Sequence, residues 1–314
     1  MIGTGSMAGG IAGDFALAGL DLVAVAGRNQ DRTRRFAEEH GVAGALSVDE
    51  LLQEDLDLVY IATTHDSHVE LAEAAMRAGH AVLVEKAFTV DAGEAEQLVA
   101  TARSTGRFLM EAMWMRFTPA VRTMQQLIAD GAIGDPRTVM ATFGFSLPFG
   151  PHRLRDRAVG GGSLLDQGVY PLALADVIFG EPAMLAATGS RVDADGAELD
   201  VDTELAVLLG YDGGQQALLA TSIRSTLPTS ATIAGRDARI ELAGPFWGSQ
   251  RVVVHSGSGD PQQFEIPREG RGYVPMLRAV GEALESGWLE HPLADHASTL
   301  RVMRAVDRVA AALA

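Results

Sequence analysis

The chain has 314 residues, 47% of them hydrophobic, and a formal net charge of −16. This is the composition of a globular fold with material for two domains, not of a disordered chain. The acidic balance argues against nucleic acid and anionic membranes as partners, because binding to them relies on clustered Lys and Arg. The absence of cysteine excludes disulfides, thiolate metal sites and cysteine nucleophiles. No apolar run reaches membrane-spanning length and no secretory-type leader is visible, so the expected location is the cytoplasm.

The chain opens with a glycine pattern, G-x-G-x-x-A, at Gly3, Gly5 and Ala8, ahead of an apolar helical stretch. Glycines there let the backbone turn tightly beside a pyrophosphate, and the following helix start offers unpaired N–H groups. Only Met1 and Ile2 precede Gly3, so either the first strand is very short or the start is mis-assigned. The second strand, LVAVAG (22–27), ends at Gly27, Arg28 and Asn29, with no acid to read a ribose. Arg28, with Arg32, is placed to clamp a 2′-phosphate, which predicts NADP over NAD.

A helix over DRTRRFAEEHG follows, then SVDELL, where Ser47 and Glu50 have capping-box spacing. Strand LDLVYIAT (56–63) leads to helix HVELAEAAMRAG, closed by Gly79, and then to strand AVLVE (81–85). The next helix opens at Asp91 with Glu94 three residues on and ends near Gly106, and FLMEAMW (108–114) completes the series. Strands alternating with helices predict a parallel, doubly wound sheet over residues 1–117. Ligands of such sheets bind beyond the carboxyl ends of the strands. That accounts for Glu85 and Lys86 at the end of an otherwise buried strand.

The remainder, 118–314, changes character. A helix near 118–130 precedes a strand near 137–146, and a glycine-led helix covers 160–179. Strands are expected around 183–192, 202–211, 215–224, 229–235, 238–242, 251–256 and 262–266, with hairpin turns at YDGGQ (211–215) and AGRDA (234–238). Helices at 272–286 and 297–313 end the chain. Consecutive hairpins imply an open, mostly antiparallel sheet. Asp166 and Tyr170 lie four apart, which on a regular helix puts both on one face.

Taken together, G-T-G-S-M-A, A-T-T-H-D-S-H, V-E-K-A-F, E-A-M-W-M-R-F and G-G-G-S-L-L-D-Q-G-V-Y-P resemble the Gfo/Idh/MocA oxidoreductases. Within them the chain is most similar to the dimeric dihydrodiol dehydrogenase and NADP-dependent D-xylose dehydrogenase branch. The resemblance covers nearly the whole chain. It implies an N-terminal Rossmann-type domain, a C-terminal α+β domain with an open sheet that serves substrate binding and oligomer contact, and substrate bound between them. A homodimer or homotetramer through that sheet is expected. So is hydride transfer between NAD(P) and a sugar, cyclic polyol or diol; the alternative is a catalytically silent NAD(P)-binding sensor.

By position, the resemblance carries the active-site lysine to Lys86, and the acid and tyrosine of the glycine-led motif to Asp166 and Tyr170. Tyr170 is favoured as proton carrier and Lys86 as the orienting, pKa-tuning group; the reverse assignment stays open. On the cofactor side it implicates Gly3, Thr4, Gly5, Ser6 and Met7 in the phosphate loop. With them go Thr63, Thr64, His65 and His68, then Glu85 and Lys86, and more loosely Trp114 and Arg116. The chain departs from the family pattern at Ala87, where a proline is usual; alanine neither fixes φ nor removes an N–H, so a less rigid Lys86 loop is expected. His65 and His68 sit three apart without a third ligand near in sequence, so no metal is expected. His152 and Arg153 are further candidates for reaching substrate.

Overall fold

A computed structural model describes residues 1–148, 150–193, 195–257 and 259–313. The chain divides into two compact units, Met1–Trp114 with Arg268–Thr299, and Met115–Pro267 with Leu300–Ala314.

In the first unit, helix α1 (Ser6–Ala18) precedes strand β1 (Ala24–Ala26), α2 (Gln30–His40), β2 (Gly44–Leu46) and the single turn α3 (Val48–Leu51). Strand β3 (Leu58–Ile61), α4 (His68–Ala78), β4 (Ala81–Val84), α5 (Ala92–Thr105) and β5 (Leu109–Glu111) follow. The strands are parallel, β1 with β2 and β3 with β4 with β5. Ile2 joins these two groups. It forms parallel bridges to Ala26 and Ile61. Its N–H donates to Tyr60 and its carbonyl accepts from Ala62, both at 2.8 Å. On the other side the Met1 carbonyl accepts the Ala26 N–H at 2.9 Å and the Gly3 N–H donates to the Ala26 carbonyl at 2.8 Å, so residues 1–3 together do the work of a central strand.

Local chemistry sets the boundaries. Asn29 and Asp91 accept side-chain caps from Arg32 and Glu94, and Ser47 with Glu50 forms a full capping box. Gly41, Gly79 and Gly106 close α2, α4 and α5 in the left-handed conformation that glycine adopts without penalty. Strand β4 is buried along its whole length, as expected for a parallel sheet covered on both faces.

The second unit begins with α6 (Pro119–Ala129) and the long strand β6 (Pro136–Gly144). A wide π-type turn over Leu164–Gly168 runs into α7 (Val169–Phe179). Strands β7 (Met184–Ser190), β8 (Glu204–Gly210), β9 (Gln216–Ser222), β10 (Ala231–Gly235), β11 (Ala238–Leu242), β12 (Arg251–Ser256) and β13 (Gln262–Glu265) complete one eight-stranded sheet in the order β13-β12-β11-β10-β6-β9-β8-β7. All its pairs are antiparallel except β6 with β9. Burial alternates along β8 and β9: Leu205, Val207, Leu209, Ala217 and Leu219 face the core, Leu208 and Leu218 face solvent. That alternation is the signature of a sheet packed on one face only. The glycines at 160–162 precede the helix instead of opening it.

Helix α8 (Val274–Glu285) and the start of α9 (His296–Ala312) correct the expectation that 118–314 forms one unit. Residues 268–299 belong with the first unit because the buried carboxylate of Asp14 in α1 accepts the N–H groups of Arg271 (2.8 Å) and Tyr273 (2.9 Å). In the second unit, Asp176 of α7 is buried between two arginines. Arg116 donates to it at 2.9 Å and Arg301 of α9 at 2.6 Å. Among the described residues no helix is long and apolar enough to cross a membrane.

Removing one member of a buried ion cluster leaves the others desolvated without compensation. Asp176→Ala is therefore expected to destabilise the protein by about 3–5 kcal/mol, read from urea unfolding midpoints at unchanged slope. A loss below about 1 kcal/mol would mean water already solvates the cluster.

Candidate active site

The phosphate-loop residues are shaped by close packing on one side and open space on the other. Gly3 has φ +119°, and a Cβ there would stand 2.3 Å from the carbonyl oxygen of Ala62. Gly5 is the opposite case: a Cβ would meet nothing within 4 Å. Gly5 also caps α1 without any side-chain hydrogen bond, and the first turn of α1 carries no acid. The helix N-terminus therefore keeps its orphan N–H donors and positive end for an anion. Thr4, Ser6 and Met7 fill this turn. Arg32 lies across it, its Nε and Nη2 donating to the Thr4 carbonyl at 3.2 and 2.9 Å. Arg28 is exposed at the end of β1. These residues fit a dinucleotide phosphate, and the two arginines fit a further anionic group.

Beyond β3, Thr63 and Thr64 are bridged by Ser67, whose hydroxyl lies 2.8 Å from Thr63 Oγ1 and 2.9 Å from the Thr64 carbonyl. His65 is buried and meets the ring of His68 edge-on at 5.6 Å. His68 has no exposed surface. Its Nδ1 lies 3.0 and 3.1 Å from the carbonyls of Ala87 and Phe88, and its Nε2 lies 3.4 Å from that of Thr63. Burial lowers its pKa, against the opposing effect of the carbonyls its ring nitrogens face. His68 thus ties together two loops and is enclosed by protein.

Glu85 is also buried. Its carboxylate accepts the Tyr60 hydroxyl and the Lys86 N–H, the latter at 3.1 Å. Lys86 follows at the end of β4, partly exposed, while Ala87 and Phe88 are buried and the Lys86–Ala87 peptide is cis. The expected looseness at Ala87 is offset by this enclosure and by the His68 hydrogen bonds. Trp114 packs 4.9 Å from Tyr273, and a Cβ at Gly272 would touch its ring at 2.9 Å. Tyr273 has its pKa raised by burial, and by the nearby charges of Glu85 and Asp14.

In the second unit, Asp166 sits in the wide turn and pairs with Arg153 at 2.7 Å. Because that turn is π-type, the four-residue spacing from Asp166 to Tyr170 does not follow regular α-helical geometry as the sequence suggested. Tyr170 is buried beside Phe143 (6.0 Å) and Trp247 (5.4 Å), which stack on each other at 3.8 Å. Nδ1 of His152 accepts the Leu154 N–H at 3.2 Å, and burial lowers its pKa, followed by the charges of Arg153 and Arg155. Arg116, expected more loosely on the cofactor side, is buried and its guanidinium pairs with Asp176 at 2.9 Å. Sequence reasoning missed Phe143 and Trp247: they come from β6 and from the turn after β11, and no local spacing signals their meeting.

These features define an oxidoreductase of the dinucleotide-binding type. The family model "Oxidoreductase family, NAD-binding Rossmann fold" matches residues 1–113, and "GFO/IDH/MocA C-terminal domain" matches 121–241. The chain is 35% identical over 285 residues to trans-1,2-dihydrobenzene-1,2-diol dehydrogenase of Bos taurus, covering 87% of this chain and 82% of that protein. The Homo sapiens protein of that name is 34% identical over 284 residues, with the same coverage. Among solved structures, a 3-ketoreductase from Actinomadura kijaniata in complex with NADP and TDP-benzene superposes with TM-score 0.86 at 29% identity, covering 99% of this chain and 96% of that one. A levoglucosan dehydrogenase, TM-score 0.89 at 19% identity over 99% of this chain and 95% of that one, shares the fold. The chain belongs to the Gfo/Idh/MocA family and is an NAD(P)-dependent oxidoreductase.

The contrast between Gly3 and Gly5 is testable. Gly3→Ala should destabilise the fold by about 2 kcal/mol or more, through both its positive φ and the Ala62 carbonyl. Gly5→Ala should leave unfolding within about 1 kcal/mol of the parent yet weaken NADP binding at least tenfold, measured by fluorescence titration. Equal NADP affinity in Gly5→Ala and the parent would refute the phosphate turn.

Proposed function

We propose that this enzyme uses NADP to interconvert an alcohol and a carbonyl on a sugar, cyclic polyol or cyclic diol. The observation that carries this reading is the open, uncapped turn at Gly5, on the same unit as Lys86 at the end of β4. Arg28 just past β1 and Arg32 in the first turn of α2, with no acid at the strand end itself, favour NADP over NAD through charge-assisted bonds to a 2′-phosphate. The relatives agree with this chemistry: a diol dehydrogenase, and a ketoreductase in complex with NADP. The stacked Phe143 and Trp247 beside Tyr170 give the substrate region apolar flanks, which suit the C–H face of a ring.

When bound, the nicotinamide donates or accepts the hydride. The protein has to orient the substrate oxygen and move its proton. In our reading the Lys86 ammonium hydrogen-bonds that oxygen. Tyr170 Oη takes the proton in oxidation and returns it in reduction. Asp166, held by Arg153, accepts a hydrogen bond from a neighbouring substrate hydroxyl. Thr63, Thr64 and His65 flank the cofactor. Glu85 and His68 hold the loop that carries Lys86, and Trp114 closes the neighbouring turn.

The test follows the absorbance of the reduced cofactor across a panel of aldoses, polyols, cyclic diols and their ketones, with NADP(H) and NAD(H). Turnover is expected with at least one substrate, with NADP favoured about tenfold or more. Arg28→Ala combined with Arg32→Ala should remove that preference. Tyr170→Phe and Lys86→Ala should each bind NADP normally and lose about 100-fold or more in kcat. Tight NADP binding without turnover on any substrate would favour the sensor alternative, and near-parent turnover in both variants would defeat the assigned roles.

For the second unit we propose substrate binding and self-association, in the cytoplasm. Met140, Leu218 and Leu208 are exposed, pair across β6, β9 and β8, and form an apolar row on the open face of the sheet. A second copy is the occupant that best suits such a row. Sedimentation should give a dimer or tetramer, and Leu218→Glu should shift it toward monomer; a monomeric parent at micromolar concentration would end the idea.

A further inference from the structure

We propose that Asp202 is a positioning residue for the reaction: from the strand-entry loop before β8, it pins the start of the helix that carries Asp166 and Tyr170. The inference rests on the reading of those two residues given above.

Helix starts leave N–H groups without intrahelical partners, and those groups need acceptors from elsewhere. Ser163, just ahead of the π-type turn, makes no cap with its own side chain. Asp202 supplies the acceptors from 38 residues away in sequence: its Oδ2 takes the Leu164 N–H at 2.7 Å. The same oxygen takes the Ser163 hydroxyl at 2.7 Å, and the Asp202 carbonyl takes the Ser163 N–H at 2.9 Å. Ser163 Oγ is also 3.1 Å from Thr221 Oγ1 on β9. Next to Asp202, Thr203 has no exposed surface, and its hydroxyl reaches the carbonyls of Ser190 and Val192 at 3.0 and 2.9 Å. The anchor is therefore itself fixed.

The glycine motif now has a physical explanation. Gly162 has φ +106°, and a Cβ there would lie 2.5 Å from Asp202 Oδ1. A Cβ at Gly161 would lie 2.6 to 2.9 Å from the carbonyl oxygens of Asp156, Arg153 and Leu154. Side chains at either position would displace the carboxylate or the Arg153 turn. A negative charge at a helix start is favourable. A π-type turn departs from the regular hydrogen-bond ladder, so its placement depends more on such an external tie. Asp166 lies three residues past Ser163 and Tyr170 seven, so a slide of the helix start carries both. Small misplacements of reacting groups cost large factors in rate.

The experiment compares Asp202→Ala, Asp202→Asn and Ser163→Ala with the parent, using the best substrate of the panel. Asp202→Ala should lower kcat about 10- to 100-fold and raise the substrate KM, with NADPH affinity unchanged because the phosphate turn lies in the other unit. Asn keeps an acceptor oxygen, so Asp202→Asn should recover kcat to within about threefold. Ser163→Ala, which removes one of the three bonds, should fall between and covers the case in which Asp202→Ala does not fold. Parent-like kcat in Asp202→Ala or Ser163→Ala overturns the proposal, as does an Asp202→Asn that folds but is no better than Asp202→Ala. Parent-like turnover in Tyr170→Phe is a different result and overturns the underlying reading of the site.

Discussion

The buried imidazole of His68, held between two converging loops, is the contact on which the first unit's candidate site depends. His68 reaches the carbonyls of Thr63, Ala87 and Phe88, two from the loop holding Lys86 and one from the loop after β3. Buried carbonyls without donors are costly, and two converging loops expose several at once. A small side chain at 68 would leave them unpaired and open a void. A lysine or arginine there would bring in a charge with no counterion in a dry site. Imidazole suits the position because it fills the space between the loops and carries a nitrogen toward each, while burial lowers its pKa. Glu85 completes the arrangement from the other side, tying the Lys86 N–H and the Tyr60 hydroxyl to one carboxylate.

The second unit solves an analogous problem with a carboxylate instead of an imidazole. Asp202 is partly buried, and burial raises its pKa, followed in the opposite sense by its hydrogen bonds to Ser163 and Leu164. The desolvation cost is offset by the two donors that meet its Oδ2, the Ser163 hydroxyl and the Leu164 N–H. Asp176 shows the same rule with ion pairs: a buried carboxylate persists where Arg116 and Arg301 both reach it. Both anchors bear on the segment from Ser163 to Phe179, one at its start and one near its end. A helix tied at both ends to distant residues holds its side chains more narrowly than packing alone would hold them.

Much of this was legible in the sequence, and the limits follow from range. Strand β4 announced itself by an apolar run ending in Glu85 and Lys86, α4 by its closing Gly79, and the β8–β9 hairpin by YDGGQ, whose Tyr211 N–H does close on Gln215 at 3.0 Å. These are signals within a few residues. The very short strand at residues 1–3 was expected only as an oddity, because the hydrogen bonds that justify it come from residues 26, 60 and 62. The membership of 268–299 in the first unit was invisible, since it rests on Asp14 reaching 257 residues ahead to Arg271. The pairing of Arg116 with Asp176 was invisible for the same reason, since the two lie 60 residues apart. Four-residue spacing from Asp166 to Tyr170 assumed a regular helix, whereas Asp166 lies within the π-type turn and Tyr170 in the α-helix that follows.

Charge distribution bears on how an acidic protein captures an anionic coenzyme. A net charge of −16 repels a polyphosphate at long range, but at physiological salt such repulsion is screened within about 8 Å. Inside that distance only local groups matter. At the phosphate turn these are the uncapped start of α1, free of acidic side chains in its first turn, Arg28 just past β1 and Arg32 in the first turn of α2. Arg32 rests on the Thr4 carbonyl, an acceptor far weaker than a phosphate dianion, so it can be drawn onto a stronger partner without breaking an ion pair. Affinity built this way should resist salt better than binding by a broad basic surface, because few counterions are released. An acidic surface and a phosphate-binding turn are therefore compatible, provided the cationic groups at the turn are not neutralised by acids of the same chain.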